Sequence, residues 1–538
     1  MAAISTQIPE DADIIGLIPK PFAMERLPGD FTLDPSTRIK ASGDAIAIAT
    51  YLKQLLQQAT GYPLVVEERP PNDPGHNAIL MTLVANGEIP DDEGYRLLVR
   101  PEGIVIQAAR PAGLFYAVQT LRQLFPAAIE RSQAVHGQEW TIPALRIEDK
   151  PRFKWRGMML DTGRHTYPVE FIKRYIDLLA LHKLNVFHWH LTDDQGWRIE
   201  IKKYPRLTEV GSRRQASPLP AEPERSDGMP YGGFFSQEQV ADIVSHAAGR
   251  FVTVVPEIDM PGHSMAALAS YPDLGCSKGP YAVLSRWGVN SDIYCAGKEK
   301  VYRFLEDVLT EVLSLFPSPV IHIGGDEVPK DRWKQCPRCQ ALIREKGLDG
   351  EDGLQGYFVR RIDKFLKSRG RRLIGWDEIL DGGLPAEAIV MSWRGTEGGV
   401  KAALSGHEAV MCPMSHCYFD HRQSLRKEDE PPAIGDDVLL LEDVYGFCPV
   451  PEALPPQAAC RVLGAQGNVW TEYMATSRQV EYMTFPRGTA LAEGVWSPSG
   501  SKDFPDFMQR LNGFLEHLRE LGVHFRDPFS KRRDNHGQ

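Results

Sequence analysis

The chain has 538 residues, of which 42% are hydrophobic and 25% are charged. This balance is typical of a folded globular protein, and the length indicates two or more domains. The formal net charge is -10 and no block is rich in lysine and arginine, so we expect neutral or polar ligands and no nucleic-acid partner.

The sequence contains no recognisable targeting or membrane segment. The chain begins MAAISTQIPE, without the basic start and long apolar run of a secretory signal. We therefore expect either an intracellular protein or a chain whose leader has been removed. No apolar run approaches the ~20 residues that a membrane span requires, so no membrane partner is expected.

Residues 1–150 are predicted to form a small α+β domain. Amphipathic patterns predict two helices, at residues 45–59 and 113–125. Short apolar or alternating runs predict four strands, at residues 63–67, 79–84, 95–99 and 104–108, the last two forming a hairpin. Because acids, histidines and aromatic residues do not cluster in this domain, we assign it no chemistry.

Residues 151–525 are predicted to form a (β/α)8 barrel, which belongs to the α/β class. Short apolar runs alternate there with helical patterns, as in parallel strands joined by crossover helices. The predicted strands are residues 157–160, 185–189, 252–256, 320–323, 372–374, 388–391, 409–411 and 462–465. A capping box, Ser236-Gln237-Glu238-Gln239, predicts the start of the helix before the third strand. Eight alternations over roughly 350 residues match a barrel with loop insertions.

The eight cysteines do not form a disulfide scaffold in a chain of this length. Cys276 and Cys295 either form a disulfide or remain two free thiols. Cys336 and Cys339 lie in a CPRC motif, but no second pair has a spacing suited to zinc. The sequence therefore predicts no metal site.

Acidic and aromatic residues follow the ends of nearly all the predicted barrel strands, the face at which barrel enzymes carry their active sites. In chain order the reactive residues are Asp161, Arg164, His165, His188, His190, Asp193, Asp194, Trp197, Glu257, Asp259, His263, Asp326, Glu327, Trp376, Asp377, Glu378, Ser392, Trp393, Arg394, Tyr418, Asp420, Asn468, Trp470 and Glu472. Acids and arginine bind sugar hydroxyls, while aromatic rings stack on the apolar faces of sugars. This combination predicts a sugar-cleaving enzyme.

Glu327 is the candidate general acid, with Asp326 beside it. Adjacent residues of a regular strand point to opposite faces, but Gly324 and Gly325 permit irregular backbone angles that turn both side chains into one pocket. Two like charges this close raise the pKa of one of them. Glycosidic cleavage needs a protonated acid at the leaving oxygen and a group that stabilises the cationic transition state.

Each of these residues also has a structural interpretation. His188 and His190 share a strand face and are either metal ligands or core histidines held by neighbouring acids; the second is favoured because no spacing suits a zinc triad. Arg164 either binds substrate or only forms an ion pair with Asp161 or Glu472. The coincidence of all of them at one end of one barrel favours a site.

Seven motifs of the chain resemble, in this order, the family 20 β-N-acetylhexosaminidases: DTGRH, HWHLTDDQGW, PEIDMPGH, HIGGDE, GWDEIL, SWRG and GNVWTE. The similarity covers about residues 151–520, and the preceding α+β domain is similar to the one that commonly accompanies this family. Seven ordered motifs make the resemblance specific, whereas GGDE alone would be weak.

The resemblance implies an exo-acting enzyme that hydrolyses terminal, non-reducing, β-linked GlcNAc or GalNAc. The substrate's own 2-acetamido oxygen would attack the anomeric carbon, giving an oxazolinium intermediate and overall retention. Glu327 would protonate the leaving group and then activate water. Asp326 would orient the acetamido N–H and stabilise the positive charge, and Tyr418 would hydrogen-bond the acetamido oxygen.

The resemblance also implies the remaining site residues. The N-acetyl group and the sugar face would be enclosed by Trp376, Trp393 and Trp470. The sugar hydroxyls would be held by Arg164, Asp420 and Glu472, while Glu327 would be tuned by Asp193 and His263. No cofactor is implied, and the expected partner is a small-molecule, oligosaccharide or glycoconjugate substrate. GlcNAc or GalNAc preference, linkage and oligomeric state stay open.

Two rival functions remain at this point. A glycosidase with two protein carboxylates would use Glu257, Glu378 or Glu472 as nucleophile, and would turn over substrates equally with and without the acetamido group. A glycan-binding protein on an inactive barrel would keep the tryptophans and lose the acid, whereas the acid pair is intact here.

Overall fold

The computed structural model describes residues 15–68, 76–85 and 87–530, and the chain divides into two compact units. The first contains the described residues up to Arg152, Leu181–Lys183 and the described residues from Phe485 onward. The second contains Phe153–Ala180 and Leu184–Thr484. Among the described residues no helix combines the length and the apolar character needed to cross a membrane.

A seven-stranded mixed sheet lies in the first unit. Its strands are β1 (Ala23–Thr32), β2 (Arg38–Ala41), β3 (Val65–Glu68), β4 (Ala78–Leu83), β5 (Tyr95–Arg100), β6 (Gly103–Ala108) and β7 (Thr141–Asp149). They are ordered β1-β7-β5-β6-β4-β2-β3, and β5 and β6 form the predicted hairpin. The helices of this unit are Ala45–Thr60, Pro111–Leu124, Arg487–Trp496 and Phe504–Glu520. Both predicted helices are confirmed, whereas β1, β2 and β7 were not predicted.

The last helices of the described chain belong to the first unit because buried polar contacts join them to its N-terminal residues. Arg510 lies 2.7 Å from Glu493 and donates to the carbonyl oxygen of Leu17 at 2.8 Å. The second unit ends at Thr484, earlier than the predicted barrel range. The predicted ranges of 1–150 and 151–525 therefore stay predictions of domain extent.

The second unit contains a closed (β/α)8 barrel, which confirms the predicted fold. Its strands are β8 (Trp155–Asp161), β9 (Val186–His190), β10 (Thr253–Glu257), β11 (Val320–His322), β12 (Arg372–Trp376), β13 (Ile389–Ser392), β14 (Ala409–Met411) and β15 (Val462–Val469). Neighbouring strands are parallel and follow chain order, and β15 pairs with β8 to close the barrel. Each predicted strand overlaps one of these, because strands buried on both faces read as continuous apolar runs.

Helices alternate with the barrel strands. The longer ones are Val169–Leu181, Gln237–Ala248, Glu299–Leu315, Pro337–Lys346, Gly350–Ser368, Glu397–Leu404 and Ser477–Thr484. The predicted capping box is confirmed: Gln239 N donates to Ser236 Oγ at 3.2 Å, and Ser236 N donates to Gln239 Oε1 at 2.9 Å. Short helices in the connections are Arg206–Glu209, Met265–Ser270, Asp331–Gln335, Met414–Cys417, Leu441–Gly446 and Pro456–Ala459.

Further short elements decorate the connections. The 3-10 helices are Ala127–Glu130, Pro272–Leu274, Asp377–Leu380, Lys427–Asp429 and Ser499–Ser501. Three antiparallel ladders pair Thr192–Asp193 with Gly196–Trp197, Arg213–Arg214 with Tyr231–Gly232, and Pro218–Leu219 with Glu222–Ser226. In the barrel unit these insertions lengthen the loops that follow the strands, which is where barrel enzymes place their binding residues.

Candidate active site

A pocket opens where the carboxyl ends of the barrel strands meet. Its volume is about 210 Å³, below the roughly 300–1,000 Å³ typical of drug-sized ligand sites. It is lined by all eleven residues predicted for the site: Arg164, Asp193, His263, Asp326, Glu327, Trp376, Trp393, Tyr418, Asp420, Trp470 and Glu472. Met414, His421 and Ile434 also line it. These three belong to no motif, and no signal in the sequence identified them.

Asp326 and Glu327 reach the same pocket because the chain turns sharply after β11. Gly324 and Gly325 have φ angles of 66° and 96°, and Glu327 itself has a φ of 46°. A Cβ on Gly324 would lie 1.8 Å from a carboxylate oxygen of Asp259, so this position requires glycine. The predicted irregular turn is confirmed, and a left-handed backbone at a glutamate is the kind of strain that functional sites retain.

His263 is held between two pairs of acids. Its Nδ1 lies 3.4 Å from Asp193 Oδ1 and 3.5 Å from Asp194 Oδ2. Its Nε2 lies 3.6 Å from Asp326 Oδ2 and 3.4 Å from Glu327 Oε2. Burial lowers the pKa of His263, but the surrounding carboxylates outweigh it and raise this pKa well above its usual value. His263 is therefore a cation that faces both candidate catalytic acids.

The two acids differ in their protonation. Burial raises the pKa of Asp326 to about 6, aided by the carboxylates of Glu257 and Glu327 and opposed by His263. The hydrogen bond from His263 lowers the pKa of Glu327, whose side chain is 41% exposed. One member of the pair has a raised pKa, as predicted, but it is Asp326 and not Glu327, the candidate general acid, and burial rather than the Glu327 charge is the largest cause.

Arg164 joins the acids on the other side of the pocket. Its Nη1 lies 3.3 Å from Asp161 and 3.1 Å from Asp193, and its Nη2 lies 3.6 Å from Glu472. The guanidinium also lies over the Trp470 ring, 5.0 Å from its centroid. Arg164 thus forms the ion pairs with Asp161 and Glu472 that its structural interpretation predicted, and it also lines the pocket. A buried cation in this position can bind sugar hydroxyls together with its carboxylate partners.

Aromatic side chains form another wall. The rings of Trp376 and Trp470 lie 5.8 Å apart, and those of Trp393 and Tyr418 stack at 6.1 Å. Trp376 Nε1 donates to Glu257 Oε1 at 2.9 Å, which fixes the ring. Such a rigid apolar surface suits the C–H face of a sugar or a small methyl group.

Glu257 lies below the pocket and does not line it. This fully buried carboxylate contacts His188 Nε2 at 3.0 Å, His190 Nδ1 at 2.5 Å and His322 Nδ1 at 3.1 Å. Burial raises the pKa of Glu257, but the three imidazoles outweigh it and hold this pKa well below its usual value. His188 and His190 are therefore core histidines held by an acid, and Glu257 is enclosed away from any substrate.

Glu378 also fails to line the pocket. Trp393 Nε1 donates to its Oε2 at 2.9 Å, and burial followed by the charge of Asp326 raises the pKa of Glu378 to about 8. A carboxyl that is neutral at pH 7 is a poor nucleophile. Glu472 lies in the pocket but faces Arg164, which suits hydroxyl binding better than attack on carbon.

Sequence comparison identifies the family. The model of the catalytic domain of glycosyl hydrolase family 20 matches residues 153–499, and the model of domain 2 of that family matches residues 15–150. This chain belongs to glycosyl hydrolase family 20. As a family 20 member it is a glycoside hydrolase.

Several family 20 proteins are similar over nearly the whole chain. A β-hexosaminidase of Porphyromonas gingivalis is 46% identical to this chain. The match covers 98% of this chain and 66% of the length of that protein. The solved GH20 β-N-acetylhexosaminidase of Streptomyces coelicolor superposes with a TM-score of 0.83 at 33% identity, covering 96% of this chain and 98% of that one. The GH20 exo-β-N-acetylglucosaminidase of Vibrio harveyi, solved with N-acetylglucosamine, superposes with a TM-score of 0.85 at 34% identity. The match covers 96% of this chain and 79% of that one.

Proposed function

We propose that this family 20 protein removes terminal, non-reducing β-linked N-acetylhexosamine residues from oligosaccharides or glycoconjugates. The observation that carries the proposal is the pair Asp326 and Glu327 turned into one small pocket beside an aromatic wall. A pocket of about 210 Å³ suits a single sugar unit, which supports cleavage from chain ends. The names of the similar proteins support the same activity.

In the first step the acetamido oxygen of the substrate attacks the anomeric carbon while the glycosidic C–O bond breaks. Glu327 donates its proton to the leaving oxygen, and a cyclic oxazolinium ion forms. Asp326 accepts a hydrogen bond from the acetamido N–H and stabilises the positive charge. The Tyr418 hydroxyl donates a hydrogen bond to the acetamido oxygen. Preorganised polar groups of this kind stabilise a transition state more effectively than water does.

In the second step water attacks the anomeric carbon from the side that the leaving group vacated. The Glu327 carboxylate removes a proton from this water, the ring C–O bond of the oxazolinium breaks and the acetamide is restored. Two inversions give overall retention, and Glu327 ends protonated as it began. The chain therefore needs no carboxylate as nucleophile.

The remaining pocket residues bind the sugar. The N-acetyl group and the apolar sugar face contact Trp376, Trp393 and Trp470. The hydroxyls bind Arg164, Asp420 and Glu472. Asp193 acts on Glu327 through His263, because it lies 3.4 Å from one nitrogen of the imidazole whose other nitrogen contacts Glu327.

The observed geometry disfavours a protein nucleophile. Glu257 is enclosed by three histidines, Glu378 has a raised pKa and lies outside the pocket lining, and Glu472 is paired with Arg164. The acetamido oxygen of the substrate supplies the nucleophile that these three acids do not supply. A glycan-binding protein without activity is disfavoured by the intact and accessible Glu327.

Replacement of the general acid tests the proposal. We expect Glu327→Gln to lower kcat on an aryl β-GlcNAc substrate on the order of 10²–10⁴-fold, because the amide cannot donate or accept the transferred proton. Glu345→Gln, at an exposed carboxylate outside the site, is the matched control and keeps wild-type kcat. A Glu327→Gln enzyme with wild-type activity contradicts the assignment.

A panel of aryl β-GlcNAc, β-GalNAc and β-Glc substrates, with and without a thiazoline inhibitor, adds the sugar specificity. We expect turnover of the two acetamido sugars only, and inhibition by the thiazoline. Equal turnover of the glucoside would favour the rival with two protein carboxylates.

A further inference from the structure

Four cysteines from two loops of the barrel unit lie together. Sequence spacing predicted no partners for Cys336 and Cys339, and this prediction is wrong, because Cys276 and Cys295 lie beside them. All four sulfurs lie within 4.8 Å of one another. The second pair escaped detection because a loop, rather than two to four residues, separates its members. Only the fold brings them together.

We infer that these four cysteines form a structural zinc site. A tetrahedral zinc ion with Zn–S bonds of about 2.3 Å places its sulfurs about 3.8 Å apart. The observed distances are 3.9 Å between Cys276 and Cys339, and 3.7 Å from Cys295 to both Cys336 and Cys339. A tetrahedral site with four thiolate ligands is typical of zinc, with iron as the alternative ion.

The arrangement differs from that of two disulfides. In a disulfide each sulfur has one bonded partner at about 2.05 Å. The sulfur of Cys295 instead has two neighbours at an equal 3.7 Å, as a vertex of a tetrahedron does. All four residues are free cysteines in the structure, and all but Cys276 are buried. Buried sulfurs grouped in this way without a bond between them indicate a shared ligand.

The surrounding backbone holds the four sulfurs in place. Cys336 precedes the helix Pro337–Lys346 and Cys339 lies in its first turn, where helix N–H groups favour thiolates. Cys295 N donates to the carbonyl oxygen of Leu274 at 2.9 Å. A Cβ on Gly297 would lie 2.5 Å from the carbonyl carbon of Arg338, so the two loops touch backbone to backbone. These backbone contacts place the two pairs of cysteines side by side.

Zinc binding joins two loops that flank the proposed active site. Cys276 and Cys295 belong to the connection after β10, which also carries His263, whereas Cys336 and Cys339 belong to the connection after β11, which carries Glu327. Residues 275–298 contain no helix and no multi-residue strand, and loops of this length rarely hold one shape unaided. Four sulfur ligands leave the ion no open position for substrate, so its role is structural.

Ligation exchanges protons for the metal. Four S–H groups give up their protons as four Zn–S bonds form, which leaves the centre with a net charge of -2. The ammonium of Lys298 donates to the carbonyl oxygen of Gly275, next to Cys276, and offsets part of that charge. No electron transfer takes place, so the proposal needs no oxidant or reductant.

Metal analysis of the wild-type protein tests the inference independently of hydrolysis. We expect one zinc ion per chain by mass spectrometric element analysis, released by an organomercurial that titrates the cysteines. After replacement with Co²⁺, we expect the visible absorption of a tetrahedral tetrathiolate. A reduced wild-type protein without zinc that fails to bind Co²⁺ would overturn the inference, as would a disulfide between any two of the four cysteines, including Cys276–Cys295. One iron per chain would overturn the assignment to zinc.

Cysteine variants locate the ion. We expect Cys276→Ser and Cys336→Ser to lose the zinc and to unfold at lower temperature, whereas Cys460→Ser, at an exposed cysteine outside the cluster, keeps one zinc and the wild-type unfolding temperature. Zinc retained in full by both cluster variants would contradict the site. Because the wild-type metal content is decisive alone, a variant that fails to fold leaves the test intact.

Discussion

Asp326 and Glu327 are adjacent in the chain, but their carboxyls have opposite surroundings. Asp326 is buried near other acids and binds a proton more tightly than usual, whereas Glu327 faces the His263 cation and loses its proton more readily. The proposed reaction needs the reverse distribution. We expect a bound sugar to supply it, because the sugar shields Glu327 from water while its amide N–H and growing positive charge favour ionised Asp326.

This proton distribution predicts the pH dependence of activity. The active pair holds one proton, and it loses that proton above the pKa of Asp326, which is about 6. We expect kcat/KM to fall about tenfold per pH unit above pH 6. In Asp326→Asn, Glu327 is the one member of the pair that still titrates. The fall in kcat/KM, the alkaline limb of the pH profile, should therefore begin at a lower pH, at the lowered pKa of Glu327.

Glu378→Gln is the matched control for this pH profile, because burial and the charge of Asp326 raise the pKa of Glu378 to about 8. We expect this variant to keep the limb near pH 6. If kcat/KM of Asp326→Asn still begins to fall near pH 6, the fall reports the titration of another group, which would contradict the account.

At the scale of elements, the turn after β11 decides where the acids point. Gly324→Ala places a methyl group against the Asp259 carboxylate and penalises the left-handed backbone. We expect kcat/KM to fall on the order of 10²-fold, as for other small displacements of catalytic groups. Steady-state kinetics on an aryl β-GlcNAc substrate measures this loss.

Gly370→Ala is the control for that substitution. Gly370 has a similar φ of 70°, but a Cβ there would meet nothing within 4 Å. We expect it to cost about 1–2 kcal/mol of stability and to leave kcat/KM unchanged. Equal effects of the two variants would show that backbone strain, rather than the position of the acids, explains the loss.

The elements that sequence reasoning found differ physically from those it missed. The barrel strands are buried along most of their length and each contains a short apolar segment, so all eight were predicted. β1 is exposed along nearly all its length, and its pairing with β7 shifts register between Arg26 and Asp30. Without a buried face or a regular alternation, its sequence carries no strand signal.

At the scale of the whole molecule, barrel closure explains why the site was predictable. Arg164 and Glu472 are far apart in sequence, yet they meet because β8 and β15 are neighbours in the closed barrel. Once eight strands are assigned, the residues after each strand must share one face. Strand position alone also gave Glu257 and Glu378, which do not line the pocket, whereas all eleven residues that the family resemblance implied do line it.

Features that depend on side-chain packing across loops were not predictable in this way. The PEIDMPGH motif identified His263 as a partner of Glu327, but it did not show that His263 also lies 3.6 Å from Asp326 and opposes the raised pKa of that carboxyl. Met414, His421 and Ile434 enter the pocket from the loop after β14. The four cysteines meet only because two insertions pack together.

The nucleophilic role of the acetamido oxygen is tested most directly with aryl β-GlcNAc substrates whose acetyl group carries zero, one, two or three fluorines. Each fluorine withdraws electrons from the carbonyl oxygen and weakens it as a nucleophile, while the leaving group and the sugar hydroxyls stay the same. We predict a steep and monotonic fall in kcat/KM along the series. A kcat/KM that does not change with fluorine number would contradict substrate-assisted catalysis and require a nucleophile from the protein.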